Sequence, residues 1–387
     1  MKKQESTILN HAEKVVGVIP TKDMKDYLSQ VGSKDPVTIT LSNGRVRLNA
    51  VNLKKDFELI ESWGPASPIY NNHDEPLASF SLYKEVLSII QNGSDQFTFT
   101  LKDENQVMIN GSLVKKGFWE EIKQDTRDYV MQDGKFPEAD NLDISAKSLE
   151  AVLTHCSQDN NRYIYHGVCV EHNGKEVINL IATDGRRMSV QREQADSCEV
   201  TESSVISYSA VKAAVALAKK KRQDTIQWNP VSNDLIVIDT TIKSEKLEGC
   251  FPDWQRVLPD HHVFTARFES KDFEKVLKDC IKQSDKPLHR TEMVQSGLVN
   301  EIRLIVEKSI GSARDDESIR TNHLIRAMEN LSSDFCIAFN ASYMLDAVRS
   351  IGSDMVVLKI IDETRPIVIE DPDGGLTNIT VVMPIKL

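Results

Sequence analysis

The chain has 387 residues, of which 40% are hydrophobic and 27% are charged, and its formal net charge is −11 at pH 7. That length allows two or three ordinary domains, and the acidic balance argues against non-specific adhesion to nucleic acid over the whole surface. Polar sequence follows Lys2 and Lys3, and no apolar run approaches the length of a membrane span. We therefore expect neither a signal peptide nor a membrane contact.

Six cysteines are scattered through the chain without a CxxC pair. Cys156 and Cys280 occupy matching apolar helix positions, which is typical of buried, reduced thiols rather than of disulfides or metal ligands. We therefore expect a cytoplasmic protein with no metal and no cofactor.

Three similar amphipathic helix openings begin at Met24, Leu149 and Phe273, and the intervals between them have the length of a small domain. A second marker, Gly-Lys-Phe-Pro-Glu at 134–138, recurs as Gly-Cys-Phe-Pro-Asp at 249–253. Repetition on this scale predicts three related domains. Their expected bounds are residues 1–139, which include an N-terminal extension, 140–262 and 263–387.

The sequence pattern predicts that each copy contains two similar halves. Each half is a helix followed by antiparallel strands. Helices are expected over residues 21–31, 82–90 and 211–220, from 149, from 270, and over 343–350. Strands are expected over residues 37–41, 45–50, 96–101, 106–110, 167–171, 176–182, 235–239, 355–361 and 367–370. Asn-Gly pairs at 43–44 and 173–174 mark two of the hairpin turns. Residues 282–330 form the least regular stretch, since charges are frequent and alternation is weak. The fold class is therefore α+β, with antiparallel sheets covered by helices.

The helix that begins near Ser270 gives the clearest indication of function from the residues alone. Its lysines recur every three or four residues and share one face, while the apolar residues share the opposite face. These lysines are Lys271, Lys275, Lys278 and Lys282. Lys212 and Lys219, on the later helix of the second copy, extend the basic set. Such a face either solvates the outside of an amphipathic helix or binds DNA phosphates without reading sequence.

Common enzyme motifs are absent from the sequence, which contains no GxxxxGK[ST], GxGxxG, HExxH, GxSxG or EF-hand pattern. Cys156 beside His155 falls on an apolar helix face, and His261-His262 lacks a nearby third ligand. Asp184 precedes a glycine and is typical of a turn. The residues favour a non-catalytic protein, and a nucleic-acid hydrolase that uses Asp184 is one alternative.

Three segments align with one family. They are 182–188 (Ala-Thr-Asp-Gly-Arg-Arg-Met), 251–259 (Phe-Pro-Asp-Trp-Gln-Arg-Val-Leu-Pro) and 381–387 (Val-Val-Met-Pro-Ile-Lys-Leu). In this order they resemble the bacterial sliding clamp, the beta subunit of the replicative DNA polymerase III holoenzyme. The resemblance implies three similar α+β domains per chain and a head-to-tail homodimer that closes a ring around duplex DNA. It also implies a processivity factor that tethers the polymerase and has no catalytic activity.

The resemblance further implies a pocket between the second and third domains for short peptides of partner proteins. The implied partners are the DNA polymerase III catalytic subunit, the clamp loader and other proteins with a clamp-binding motif. The pocket residues carried over are Tyr165, Thr183, Gly185, Arg186, Arg187, Met188, Pro252, Arg256, Val257, Asn340, Tyr343, Val381, Met383, Pro384, Ile385 and Leu387. Tyr165 stands where the family usually has leucine. Arg162 and Tyr163 match the family's DNA-facing loop, whereas the lysines above come from the helix pattern.

The first copy lacks the Arg-Pro segment that the family usually carries after its first helix. A diverged clamp that serves as a peptide-binding scaffold without loading on DNA is therefore a second alternative.

Overall fold

The structure is a computed structural model. It describes residues 14–32, 35–42, 45–52, 57–63, 78–83, 95–103, 106–110, 112–114, 141–159, 163–172, 176–195, 203–244, 247, 249–259, 261–295, 300–309, 318–328, 334–372 and 378–386. The chain divides into two compact units. The first comprises Met1–Leu142 and Ala213–Glu245, and the second comprises Asp143–Lys212 and Lys246–Leu387.

The strands, numbered in chain order, are β1 Lys14–Pro20, β2 Pro36–Ser42, β3 Arg45–Asn52, β4 Phe57–Trp63, β5 Ala78–Tyr83, β6 Gln96–Asp103, β7 Gln106–Ile109, β8 Ser112–Val114, β9 Leu142–Ser145, β10 Gly167–His172, β11 Val177–Thr183, β12 Arg187–Gln194, β13 Ser204–Ser207, β14 Thr225–Trp228, β15 Leu235–Val237, β16 Thr240–Ser244, β17 Phe264–Glu269, β18 Arg290–Gln295, β19 Glu301–Ser309, β20 Ser318–Arg326, β21 Phe335–Asn340, β22 Met355–Ile360, β23 Ile367–Glu370 and β24 Ile379–Val382. The helices of the described residues are α1 Thr21–Gln30, α2 Ala146–Leu153, α3 Tyr208–Lys221, α4 Ser270–Gln283 and α5 Ala341–Ile351.

In the first unit, β1-β6-β7-β8 form a small sheet, and a larger sheet runs in the order β5-β2-β3-β4-β16-β15-β14. Val37, Ile39 and Leu41 are buried and alternate with threonines along β2, so one face of the larger sheet is apolar. Tyr27 on α1 is buried, and its hydroxyl donates to the carbonyl oxygen of Leu59 at 2.9 Å. This bond ties the helix to the sheet that it covers.

In the second unit, eight strands form one sheet in the order β13-β10-β11-β12-β24-β23-β22-β17, and β20-β19-β18-β21 form another. The strand pairs in both sheets are antiparallel. Phe273 and Leu277 of α4 and Met344 of α5 are fully buried in one core between helices and strands. The apolar face predicted for the helix from Ser270 is thereby confirmed.

An asparagine side chain sets where α5 begins. The Oδ1 atom of Asn340 accepts hydrogen bonds from the backbone N–H groups of Ser342 at 2.9 Å and Tyr343 at 3.2 Å. These donors would otherwise lack a partner in the first turn. The helix stops at Gly352, whose φ of 71° is the left-handed conformation that glycine adopts at low cost.

The expectation of irregular structure over 282–330 is wrong, because β18, β19 and β20 form an antiparallel meander there. Met293, Ile302, Leu304 and Val306 are buried on one face, while charged residues occupy the other. One face of such a sheet meets water, so its strands carry many charges without losing their alternation.

The helix expected over 82–90 is wrong at its start, since Leu82 is a buried residue of β5. Residues 84–94 and the Asn-Gly turns at 43–44 and 173–174 lie outside the described residues.

Cys156, Cys169 and Cys280 are buried free thiols, as predicted for Cys156 and Cys280, while Cys250 and Cys336 are exposed free thiols. Among the described residues, no helix is both long and apolar enough to cross a membrane. The same part of the chain brings no three histidine, cysteine, aspartate or glutamate side chains together as a metal site.

Candidate functional site

A tight turn leads into β12 and carries several of the predicted site residues. Asp184 Oδ1 accepts from the backbone N–H groups of Arg186 at 2.8 Å and Arg187 at 3.0 Å. The hydroxyl of Thr183 donates to the Arg187 carbonyl oxygen at 2.7 Å and accepts from the Gly185 N–H at 3.0 Å. Gly185 has a φ of 82°, which a residue with a side chain rarely adopts. The turn role expected for Asp184 is therefore what the structure shows.

The C-terminal segment pairs with this turn. Met188 of β12 lies opposite Val381 of β24 in the ladder, and the N–H of Met383 donates to the Arg186 carbonyl oxygen at 2.9 Å. Beyond β24, the N–H of Ile385 donates to a carbonyl oxygen of β21 at 2.7 Å. Two of the aligned segments, far apart in the chain, thus share one surface.

Arg187 joins the turn to α5. Its Nε lies 3.0 Å from Asp184 Oδ2, and its Nη1 lies 2.5 Å from Asp346 Oδ2. The guanidinium carbon also stands 4.4 Å from the ring centroid of Tyr343. Only 11% of the Arg187 side chain is exposed. Two carboxylates and an aromatic face therefore engage this arginine, which links the turn to α5.

An apolar slot, which we define as Met188, Val381 and Trp254, lies on the face of the eight-stranded sheet beside this turn. All three side chains are buried in one cluster, and Phe251 and Leu258 pack against it partly exposed. Trp254 is anchored by its indole N–H, which donates to a glutamate carboxylate of β10 at 3.0 Å. The 251–259 segment therefore covers the two paired strands, so all three aligned segments meet here.

The rim of the apolar slot is more exposed than its floor. Val257 is 39% exposed and Met383 is 38% exposed. Arg256 points into solvent, and its Nε lies 2.8 Å from Asp253 Oδ2. Arg186 is exposed as well. Apolar and cationic side chains thus stand together at the surface, where the flexible thioether of methionine suits varied ligands.

The burial of the other predicted pocket residues varies less. Tyr165, Pro252, Tyr343, Pro384 and Ile385 are half-buried. Leu387 and Arg162 lie outside the described residues, as does the side chain of Tyr163.

Behind Arg187, His155 and Cys156 are buried and chemically inert. Burial, together with the positive charge of Arg187, lowers the pKa of His155 to about 3. Burial raises the pKa of the Cys156 thiol to about 12. A neutral imidazole beside a protonated thiol supplies no thiolate at neutral pH.

The lysine face of α4 is exposed, as its spacing predicts, and carries acidic neighbours. Lys278 Nζ lies 2.9 Å from Glu274, and Lys282 Nζ lies 3.2 Å from Asp279. Lys271 and Lys275 are exposed too. The face therefore carries net positive charge in a mixed pattern, which favours loose attraction of an anion over a fixed site.

On α3, Lys212 is exposed, and its ammonium nitrogen stands 5.3 Å from the Tyr208 ring centroid. Lys219 is exposed near the end of the same helix, where Lys220 makes a 2.6 Å ion pair with Asp26 of α1.

Asp346 is the site residue that sequence reasoning missed. It follows Tyr343 by one helical turn, so the two side chains share a face of α5. That spacing is the signal that could have found it. Its arginine partner lies far away in sequence, and only the β12–β24 pairing brings them together.

Residues 269–386 match the family described as DNA polymerase III beta subunit, C-terminal domain. The beta sliding clamp of Synechocystis sp. is 24% identical over 258 residues, which cover 62% of this chain and 63% of that protein. The beta sliding clamp of Lactococcus lactis is 20% identical over 361 residues, which cover 90% of this chain and 88% of that one.

Solved structures give the same likeness in fold. The DNA polymerase sliding clamp of Bacillus subtilis superposes with a TM-score of 0.75 at 13% identity, over 96% of this chain and 98% of that one. The sliding clamp of Pseudomonas aeruginosa gives a TM-score of 0.72 at 17% identity, over 96% and 99% of the two chains.

Proposed function

Because residues 269–386 match the C-terminal domain of the DNA polymerase III beta subunit and the chain has the sliding-clamp fold, we propose that this protein is a DNA sliding clamp. It encircles duplex DNA and tethers the replicative polymerase, so that synthesis continues without dissociation. It works by geometry and binding and performs no chemistry. The three-domain division at 1–139, 140–262 and 263–387 belongs to this proposal.

The observation that carries the proposal is a repeated strand order. Three sets of four strands share one spatial order, in which the strand that comes last in sequence lies beside the first strand. These sets are β5-β2-β3-β4, β13-β10-β11-β12 and β21-β18-β19-β20, so β4, β12 and β20 occupy equivalent end positions. A second spatial order is seen in β1-β6-β7-β8. The strands β14-β15-β16 and β17-β22-β23-β24 follow it, so β8, β16 and β24 occupy equivalent end positions. Strands at these end positions pair with each other as β4 with β16 and as β12 with β24. The remaining two, β20 and β8, each lie at the end of a sheet among the residues that the structure describes.

A second copy of the chain would supply the missing pairing. If β20 of one copy pairs with β8 of another, the contact is heterologous, and two such contacts in a dimer close a ring. Ile319 and Leu324 on β20 are 56% and 59% exposed, which is unusual for a strand that remains at an edge. A strand paired along β20 would place neighbouring side chains beside both of them. We therefore include a head-to-tail homodimer in the proposal.

Duplex DNA would pass through the ring without being read. Exposed lysines of α3 and α4 attract phosphates, but the acidic partners of Lys278 and Lys282 keep that attraction weak. A weak field permits sliding, and the closed ring prevents loss. This arrangement also suits a chain whose net charge is −11.

Partner proteins would dock at the apolar slot and its rim. The polymerase catalytic subunit, the clamp loader and other proteins would present short peptides with aliphatic or aromatic anchors to Val257 and Met383. Arg186 and Arg256 would meet the polar ends of the peptide. Several related peptides could use one slot, because methionine adapts its shape.

Retention on nicked circular plasmid tests the proposal directly. The protein is loaded with clamp loader and ATP from the same source, washed in high salt, and the plasmid is then cut once. We expect retention that survives salt and disappears on cutting. Salt-sensitive binding to circular and linear DNA alike would mean an electrostatic binder instead. No retention, while a known clamp loads under the same conditions, would mean a scaffold that does not encircle DNA.

Deletion of 383–387 tests the docking surface separately. We expect the deleted chain to lose binding to polymerase-derived peptides and to remain a dimer, because β20 and β8 are untouched. Peptide binding that survives the deletion would contradict the assigned pocket and leave the ring proposal standing.

A further inference from the structure

A small cleft adjoins the apolar slot on the same face of the eight-stranded sheet. It has a volume of about 260 Å³. We name it the Lys359 cleft, and it is lined by Leu258, Pro259, His261, His262, Lys359, Ile361, Val368 and Glu370. Leu258 and Val368 also belong to the cluster around the apolar slot. The Lys359 cleft and the apolar slot are therefore continuous. No predicted site residue lines the Lys359 cleft.

Strand register places the Lys359 cleft in line with the apolar slot. Met188 lies opposite Val381, Val381 lies opposite Val368, and Val368 lies opposite Lys359. Directly opposed residues point to the same face, so these four form one row across the sheet. With strands about 4.8 Å apart, the row spans about 14 Å. An extended peptide covers that distance in roughly four residues.

The chemistry of the Lys359 cleft is specific. Its floor is aliphatic, and a half-buried ion pair joins Lys359 Nζ to Glu370 Oε2 at 2.5 Å. This hydrogen bond uses Glu370 Oε2, and Oε1 is the second acceptor oxygen of the same carboxylate. Two exposed imidazoles, of His261 and His262, stand at the rim. The volume is below that of an ordinary small-molecule pocket and suits a single side chain.

Resting on the proposed function, we propose that the Lys359 cleft binds a tyrosine side chain of the docked peptide, roughly four residues from the anchor in the apolar slot. The ring lies on Ile361 and Val368. Its hydroxyl donates to Glu370 Oε1 and accepts from Lys359 Nζ. Phenylalanine fills the same space but makes neither hydrogen bond, and a site built this way discriminates against the analogue without a hydroxyl.

Selection from a phage library of random 12-residue peptides tests the inference on the full-length chain. We expect enriched peptides to carry an aliphatic anchor and, at the stated spacing, a tyrosine. By fluorescence polarisation, changing that tyrosine to phenylalanine should weaken binding about tenfold, the effect of one hydrogen bond to a charged group. The double variant Lys359→Met, Glu370→Met, which removes both the donor and the acceptor, should bind both peptides alike.

A matched control keeps the change of charge but moves it away from the cleft. Lys308→Met with Glu307→Met, both exposed on β19, should preserve the preference for tyrosine. Enriched peptides without the tyrosine, or a preference that persists in the Lys359 and Glu370 variant, would overturn the inference. Failure of the docking proposal looks different, because then no peptide is enriched or the enriched peptides still bind after deletion of 383–387.

Discussion

At the scale of single residues, Arg187 shows how a recognisable motif residue can have a structural task. Its guanidinium contacts Asp184, Asp346 and Tyr343 at once. Arg186, its neighbour, is exposed. Arg187 therefore links the turn to α5, whereas Arg186 faces the solvent at the proposed docking surface.

Replacing these two arginines should separate the roles. Arg187→Met removes the partner of two carboxylates, so we expect the free energy of unfolding to fall by about 2 kcal/mol. Arg186→Met should leave stability within about 0.5 kcal/mol and weaken peptide binding. Urea unfolding and fluorescence polarisation measure the two effects. Equal stability of both variants would show that the Arg187 contacts contribute little.

His155 should make stability depend on pH in a defined window. Its ordinary pKa of 6.5 falls to about 3 on folding, chiefly through burial. Between these values the unfolded chain binds a proton that the folded chain does not, so stability falls as the pH drops from 6.5 toward 3. The slope contributed is at most about 1.4 kcal/mol per pH unit.

Thermal unfolding between pH 4 and pH 7 checks this dependence. We expect His155→Leu to flatten the loss of stability on acidification, whereas His262→Leu, at an exposed position, should leave it unchanged. An equally steep loss in His155→Leu would assign the acid sensitivity to other groups.

The residues of the candidate site could be predicted from the sequence better than their contacts. The resemblance named Arg187, Met188, Tyr343 and Val381 in advance. Nothing in one sequence indicates that Asp346 would bind Arg187, because a pairing over such a chain distance depends on strand register. The local turn around Asp184 was predictable, since its hydrogen bonds close within a few residues.

At the scale of elements, helices with a clear apolar face were predicted well and half-exposed strands were not. The face of α4 repeats strongly enough to be recognised without tertiary information. In β19 the buried Ile302, Leu304 and Val306 alternate with charged or half-buried neighbours. Such a strand resembles a loop in composition. The high content of charged residues therefore predicted irregular structure, although the apolar residues recur with the period of two that is typical of a strand.

Buried hydrogen bonds join the end of α5 to the sheet, and removing one of their partners should lower the stability of the fold. Ser350 donates to the Ala347 carbonyl oxygen at 2.8 Å and shares a 2.8 Å hydrogen bond with the Thr380 hydroxyl. Gln191 Nε2 also donates to the Ser350 carbonyl oxygen at 3.0 Å. Buried groups of this kind destabilise the fold when one partner is removed.

We expect Ser350→Ala to lower the free energy of unfolding by about 1–2 kcal/mol, because Thr380 is left with one buried partner fewer. Ser203→Ala, at an exposed position, is the matched control and should change stability by less than about 0.5 kcal/mol. Urea unfolding measures both. A Ser350→Ala variant as stable as the control would mean that the network adjusts without cost.

At the scale of the whole molecule, the repeat seen in the sequence has a counterpart in strand order. Self-similar helix openings predict related domains, and the strand orders β5-β2-β3-β4, β13-β10-β11-β12 and β21-β18-β19-β20 repeat one connectivity. How strands from neighbouring copies join could not be predicted, because such pairings are non-local and carry no turn signal. The edges left over, β20 and β8, are what make a second chain physically necessary in the proposed ring.

Leu324→Lys tests that ring at its proposed junction. A lysine on an edge strand resists pairing with another strand, so we expect the variant to sediment with the mass of one chain while the unmodified protein sediments as a dimer. Salt-resistant retention on circular plasmid should be lost with it, and peptide binding should be kept, since the apolar slot lies on another sheet. Val231→Lys, at a position 56% exposed in the β14–β15 turn, supplies the control and should remain a dimer. A Leu324→Lys protein that still dimerises and stays on the plasmid would show that the chains meet at some surface other than β20.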